Sequence, residues 1–285
     1  MVKNKYLLTV SIPTFNRTEE LNKKLQNLKN QTFKNFVINI GDNCGINYKE
    51  INKVIKKYSD YLNINYIRNK KNIGHIKNFI KLLNTCKTKY HVWAADDDIF
   101  SDDYLEVLIN IAEVEARKNE NVVLCIPSTI LVQKGKIIRK IEQNEEKLFN
   151  LKHFILLGFP FSKNHSSYFW KMGIYGLFET ETLKLVVNRI GVWVSERDLL
   201  ICCMSRGKFI TTKKVFIEKK IADKNFNLHH DDPFYKNLET RFTYKWISDT
   251  FKIIQHKRFK LIFILLSIVF FSFSIFKNIL KNKKA

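Results

Sequence analysis

Two spacings of apolar residues alternate along the first half of the chain. Residues 6–12 (YLLTVSI) form a short apolar run that stops at Pro13, the pattern of a buried strand. Over Thr18–Asn30 the period changes, and Leu21, Leu25 and Leu28 recur at helical spacing behind Thr18, which suggests an N-cap region. Residues 36–41 (FVINIG) read as a second strand, stopped by Gly-Asp-Asn, and Tyr48–Tyr58 as a second helix with Ile51, Val54, Ile55 and Tyr58 on one face. Ile64–Arg68 is a third strand. Residues 74–86 predict a third helix, with Ile76, Phe79, Ile80, Leu82 and Leu83 as its apolar side. Residues 90–95 (YHVWAA) are a fourth strand that ends in Asp96-Asp97-Asp98; residues 102–117 follow as a helix capped by Ser101, and residues 122–126 as another strand. Strand and helix in strict alternation predict an α/β fold with a mostly parallel, doubly wound sheet and helices on both faces.

Ligands of such sheets bind at the carboxyl ends of the strands. The segments there are residues 13–17, 42–43, 68–74 and 96–98, and they carry Asp, Asn, Arg and Gly where packing would call for apolar side chains. The acidic triplet is the sharpest of them. Three adjacent carboxylates repel one another, and a divalent cation would relieve that; hard oxygen donors suit Mg²⁺ or Mn²⁺, ions commonly shared between one or two carboxylates and substrate phosphates. A solvated acidic turn is the plainer alternative.

The order of these segments resembles family-2 glycosyltransferases of the GT-A fold. Residues 10–17 (VSIPTFNR) resemble the opening strand and nucleotide loop, Gly41-Asp42-Asn43 the second loop, Arg68-Asn69 with Asn72-Ile73-Gly74 and Asn78 the third, and Trp93-Ala94-Ala95-Asp96-Asp97-Asp98 the metal motif. Residues 172–183 (MGIYGLFETETL) look like an acceptor-side segment. Ser195-Glu196-Arg197-Asp198-Leu199-Leu200, followed by Gly207, resembles the region of the catalytic base, with Glu196 standing where the family usually has Asp.

The resemblance implies an inverting, non-processive enzyme that moves one sugar from a nucleotide-sugar to an acceptor hydroxyl. It places Pro13, Thr14, Asn16, Arg17, Asp42, Asn43, Arg68, Asn72, Gly74, Asn78, Asp96 and Asp97 around the donor, with Asp42 at the base and Asp96 or Asp97 at the ribose. Asp98, with Asp96, would hold Mg²⁺ or Mn²⁺, and Glu196 or Asp198 would be the base. Lys77 at a phosphate and a late metal contact from His229 or His230 are weaker implications, since a solvated helix position and a surface loop explain them as well. The processive-synthase signature Gln-x-x-Arg-Trp is absent.

Composition adds two things. Lys plus Arg outnumber Asp plus Glu by 49 to 27, a net charge of +22. This invites an anionic partner, although 40 of the 49 cations are Lys, as an AT-rich genome would give, and a nucleic-acid reader would lean on Arg. The five cysteines form no CxxC pair, and the first thirty residues carry no apolar leader, which together point to a reducing cytosol.

The second addition is at the C-terminus. The sixteen residues 261–276 (LIFILLSIVFFSFSIF) hold no charge; as a helix they span ~24 Å, short of a ~30 Å hydrocarbon core. Flanking Lys and Arg can snorkel and lengthen the effective span. The expected layout is a GT-A domain over residues 1–220, with a nucleotide-binding half 1–127 and an acceptor and catalytic half 128–220. A helical linker, 221–258, and a C-terminal hydrophobic membrane segment, 259–285, follow. Partners are then a nucleotide-sugar, a glycan or lipid-linked acceptor and a membrane, with no nucleic acid. Location at the cytoplasmic face of the inner membrane and a role in bacterial surface polysaccharide or lipopolysaccharide synthesis follow from the same reading. The competing classes are another metal-dependent nucleotide enzyme such as a nucleotidyltransferase, disfavoured by a glycine-free first loop, and a basic nucleic-acid-binding protein, which leaves the acidic triplet unexplained.

Overall fold

In the computed structural model, residues 5–143, 147–150, 173–191 and 196–220 are described. The chain opens with β1 (Leu8–Thr14), α1 (Thr18–Asn30), β2 (Phe36–Asp42), α2 (Tyr48–Tyr58), β3 (Ile64–Arg68), α3 (His75–Thr85) and β4 (Tyr90–Trp93). It continues with β5 (Ile99–Phe100), α4 (Tyr104–Arg117), β6 (Val122–Gln133), β7 (Lys136–Ile141), β8 (Lys147–Phe149) and β9 (Leu177–Glu179), then α5 (Thr180–Ile190), α6 (Glu196–Met204) and β10 (Lys208–Lys220). The fold is α/β, and the strands form one sheet in the order β3-β2-β1-β4-β9-β6-β10-β5, with β7 added on β6 and β8 on β10.

The expectation of a mostly parallel sheet holds on one side only. β3, β2, β1 and β4 are parallel neighbours. Beyond β4 the sheet is mixed: β9 lies antiparallel between β4 and β6, and β10 runs parallel to β6 but antiparallel to β5 and β8. The strands that change the direction, β5 and β9, have two and three residues, too short for a period-2 pattern to register.

β1 runs through Pro13 to Thr14 instead of stopping at Ile12, and β4 ends at Trp93 instead of residue 95. Three further differences from the sequence reading have identifiable reasons. β6 continues to Gln133, past Pro127, because the register of β10 breaks between Thr211 and Phe216 where the proline offers no N–H. Ser101 does not cap α4. The helix starts at Tyr104 with no side-chain cap, and Ser101 is drawn toward β10, where its hydroxyl accepts the Phe216 N–H at 3.4 Å. Thr18 is already helical, Arg17 occupies the N-cap position without a side-chain bond, and the Thr18 hydroxyl accepts from the Asn47 amide.

Alternation along the strands feeds two hydrophobic clusters. Val10, Ile12, Ile38, Ile40 and Val92 pack with Leu21, Leu25 and Leu28 of α1, Ile51 of α2 and Leu105 and Leu108 of α4. Trp93, Leu124 and Phe178 pack with Leu83 of α3, Leu183 and Val187 of α5 and Leu199 and Leu200 of α6. Each fully buried Leu or Ile contributes roughly 1.5–3 kcal/mol of transfer free energy. Between β1, β2, β4 and α3 the contact is polar as well: Thr9 bonds Thr88, Ser11 bonds His91, and Asn39 accepts from Asn65 and donates to Thr85. Burial and the Lys184 charge push the His91 imidazole down to about 3, so it is neutral at ordinary pH.

The expected linker at 221–258 and membrane segment at 259–285 lie outside the described residues, as do His229 and His230. Among the described residues no helix is long and apolar enough to cross a membrane.

Candidate active site at the carboxyl ends of the strands

The four polar segments singled out in the sequence meet at one end of the parallel strands, because β1, β2, β3 and β4 all deliver their carboxyl ends to the same edge. Two networks occupy that edge. The first joins the turns after β2 and β3. Asn69 donates to Asn43 and to Asn78, each at 3.0 Å; Asn78 in turn donates to the Gly41 carbonyl at 2.7 Å. Asn43 donates to Asn72 at 2.7 Å and accepts the Ile73 N–H. Asn72 also accepts the N–H of Gly74, whose φ of +83° turns the chain into α3. Gly41 must lack a side chain, since a Cβ there would stand 2.9 Å from Leu82 and 3.0 Å from the Asn78 oxygen.

Asp42 belongs to this network and is fully buried. One of its oxygens accepts the Gly45 N–H at 2.8 Å; the other accepts the Tyr66 hydroxyl at 2.6 Å and faces Arg68 Nε at 3.3 Å. Burial, then the bond to Asp42, raises the Tyr66 phenol well above its ordinary value. Arg68 also lies over the Tyr48 ring at 4.6 Å and donates to the Gly45 carbonyl. Asn16, at φ +57°, ties the first loop to the second by accepting the Ile46 N–H at 2.8 Å. Pro13 sits at the end of β1, paired with Gly41.

The second network surrounds the acidic triplet. The repulsion expected among Asp96, Asp97 and Asp98 is relieved by cations of the protein itself. Arg17 bonds Asp96 at 3.1 Å and Asp97 at 2.7 Å, while the Thr14 hydroxyl donates to Asp96 at 2.8 Å. Burial nonetheless pushes the Asp96 carboxyl up to about 6 against the pull of Arg17. Asp98 is fully buried and ion-paired with Lys219 at 2.9 Å. Burial raises its pKa too, opposed by Lys219. Lys24, fully buried on α1, donates to the Asp98 main-chain carbonyl at 3.1 Å and lies 3.3 Å from the centre of the Phe100 ring. Burial pushes its amine down to about 7.

Lys24, Lys219, Tyr66 and Tyr175 are functional-site neighbours that the sequence reading did not single out. Tyr175 carries the Lys219 ammonium 4.3 Å from its ring centre. Glu196 opens α6; burial raises the Tyr175 phenol, with smaller upward contributions from the Asp98 and Glu196 charges against the pull of Lys219. The Asp198 side chain lies outside the described residues. Lys77 is exposed on α3.

The donors for a cation are carboxylate oxygens. Among the described residues no three His, Cys, Asp or Glu side chains converge as a ready-made metal cluster. One observation does fit a cation: Asp98 Oδ1 is buried and has no hydrogen-bond partner among the described residues. With the 30%-exposed Asp97 alongside, the corner offers the hard-oxygen chemistry that would suit Mg²⁺ or Mn²⁺.

The fold is shared with solved structures. S. aureus TarS, residues 1–349 in complex with UDP, superposes with a TM-score of 0.61 at 13% identity, covering 87% of this chain and 69% of that one. TarS 1–349 in complex with UDP-GlcNAc gives 0.54 at 15% identity over 76% of this chain and 59% of that one. The mannosyltransferase PcManGT from Pyrobaculum calidifontis, in complex with GDP-Man and Mn²⁺, gives 0.52 at 12% identity over 79% and 60%. At these identities the likeness is one of fold. No curated protein matches the sequence significantly. The profile of glycosyl transferase family 2, however, matches residues 9–170, more than half of the 285-residue chain. On that match, and with the fold in agreement, the chain belongs to glycosyl transferase family 2 and is a glycosyltransferase.

Proposed function

We propose that the enzyme transfers one sugar from a nucleoside-diphosphate sugar, bound across the carboxyl ends of β1 to β4, to a hydroxyl of a lipid-linked glycan, with inversion at the anomeric carbon. The observation that carries the reading is the acidic triplet, held by Thr14, Arg17, Lys24 and Lys219, with one buried carboxylate oxygen left without a partner among the described residues. The nucleoside diphosphates and nucleotide-sugars bound by TarS and PcManGT support the donor class.

In this account Asp98, with Asp96 and Asp97 beside it, holds a divalent cation. When bound, that cation neutralises the charge of the departing diphosphate. The rest is done by the chain. The asparagine-braced turns after β2 and β3 form a fixed wall for the nucleoside, with two cations beside it: Arg68, stacked on Tyr48 and more than a third exposed, and Lys81, bonded to Asn69 at 2.6 Å. Glu196 accepts the proton of the attacking hydroxyl as the bond to the anomeric carbon forms and the bond to the diphosphate oxygen breaks. General-base help of this kind is worth ~10²–10⁴ in rate. The family resemblance gives Asp198 as the alternative base.

The uncharged stretch 261–276 with its basic flanks would hold the enzyme at the cytoplasmic face of the membrane, where a lipid-carried acceptor is presented, in a surface-glycan assembly such as lipopolysaccharide synthesis. Full-length protein in the membrane fraction, and release of a chain lacking residues 259–285 into the soluble fraction, is the expected result. The donor is identified by mixing the full chain and Mn²⁺ with a panel of nucleotide-sugars and measuring nucleoside diphosphate release. One nucleotide should also protect against thermal unfolding. A panel in which no donor is turned over, and no nucleotide protects, would overturn the proposal.

A further inference from the structure

We infer that Lys219 is a positioning residue that makes Asp98 a one-oxygen ligand and thereby sets which cation the site prefers. The inference rests on the reading that Asp98 binds a metal, and it concerns how it does so. The register of the β10–β5 pair places Ile217 opposite Phe100 and Glu218 opposite Ile99. Continued by one residue, the same register sets Lys219 opposite Asp98, so the contact is built into the sheet. Lys219 shares the inward face of β10 with Val215 and Ile217, both fully buried.

The two oxygens of Asp98 are treated differently. Oδ2 accepts from the Lys219 ammonium at 2.9 Å, whereas Oδ1 is buried without a partner among the described residues. Three further contacts keep this asymmetry from averaging out. Lys24 holds the main-chain carbonyl of Asp98, the Tyr175 ring backs the Lys219 ammonium, and the Tyr104 hydroxyl fixes the Tyr175 carbonyl at 2.7 Å. A purely structural ion pair at such depth would be expected to have both oxygens bonded, since an unmatched buried acceptor is costly.

With Oδ2 already engaged by an ammonium, Asp98 offers a cation Oδ1 more readily than both oxygens together. Mg²⁺-like octahedral ions at 2.0–2.1 Å accept single oxygens readily, while Ca²⁺, with 6–8 ligands at 2.3–2.6 Å, makes frequent use of bidentate carboxylates. Lys219 therefore biases the corner toward Mn²⁺ and Mg²⁺ and against Ca²⁺. Its positive charge also weakens binding of any free cation until an anionic ligand joins the site.

The test is direct binding of Mn²⁺ alone and Ca²⁺ alone to the full chain by calorimetry, with Mn²⁺ spin resonance as a second readout and melting curves as a fold control. Wild type should bind Mn²⁺ at least tenfold more tightly than Ca²⁺. Lys219→Met should bind both ions more tightly, with Ca²⁺ gaining at least fivefold more than Mn²⁺. Lys219→Arg keeps the charge but brings a two-pronged donor that can cover both oxygens; it should lose at least tenfold in Mn²⁺ affinity. Equal wild-type affinities for the two ions overturn the inference without any variant, and so does an unchanged Mn²⁺-to-Ca²⁺ ratio in folded Lys219→Met. Absence of any Mn²⁺ binding to wild type, even with a nucleoside diphosphate present, would instead sink the metal reading itself.

Discussion

Two polar networks share the same edge of the sheet, and they solve burial in opposite ways. The turns after β2 and β3 are braced mainly by amides, with Asn43, Asn69, Asn72 and Asn78 bonding one another and nearby main-chain groups, Lys81 bonded to the Asn69 oxygen and Asp42 paired with Arg68. The corner after β4 is braced by charge, with Arg17 and Lys219 against three carboxylates and Lys24 behind them, and leaves one buried oxygen unmatched among the described residues. The amide side spends its described bonds on other groups of the protein, as a scaffold does. The charged corner, with its spare acceptor, is where the proposed cation and its anionic partner would bind.

The comparison breaks most visibly on the charged side. Glu196→Gln removes the proton acceptor while keeping the shape, and turnover should fall by about 10²–10⁴ with nucleotide affinity unchanged; steady-state rates and calorimetry on the same preparation separate the two. Should Glu196→Gln turn over at the wild-type rate, the base is elsewhere, with Asp198 next in line.

On the amide side the loss is of stability. Asn78→Ala strips partners from the buried Gly41 carbonyl and the Asn69 amide. Each unmatched group costs about 1–3 kcal/mol, so a loss of about 3 kcal/mol is expected in denaturant unfolding. A loss under 1 kcal/mol would mean that the braces are not a rigid unit.

The smallest expected effect separates both networks from the polar layer beneath α3. His91 has a folded pKa of about 3 against 6.5 in the unfolded chain, because burial disfavours its charged form. The unfolded state therefore takes up the proton first. Stability should decline as pH falls below 6.5 and continue to decline toward 3, by about 2 kcal/mol at pH 5 from this group. In His91→Leu that part of the pH dependence should vanish, and an identical pH profile in variant and wild type would contradict the assignment.

Periodicity made α1, α2 and β3 legible to the residue, since their apolar stripes begin and end at clear polar boundaries. β5 and β9 were not legible, because two or three residues carry no period. β10 was hidden by its own lysines. The loops of the site, Arg17 among them, were legible from residue type at strand ends, yet the two lysines that stabilise the triplet, Lys24 and Lys219, were not singled out. For Lys24 a signal existed: it falls on the Leu21, Leu25, Leu28 stripe and is therefore a buried lysine by spacing. Lys219 alternates with Val215 and Ile217 in the same way, but among 40 lysines that alternation reads as noise until the β10–β5 register is known. Long-range pairing, which the local sequence does not encode, is what turns one surface-like lysine into a partner of Asp98.

The most direct test of the account is the affinity of the nucleoside diphosphate identified in the donor screen, measured by calorimetry with and without Mn²⁺ on wild type and on Asp98→Asn. The account predicts at least tenfold tighter binding with Mn²⁺ in wild type and no effect of Mn²⁺ in Asp98→Asn. An Asp98→Asn enzyme whose nucleotide binding still strengthens with Mn²⁺ to the wild-type extent would contradict it.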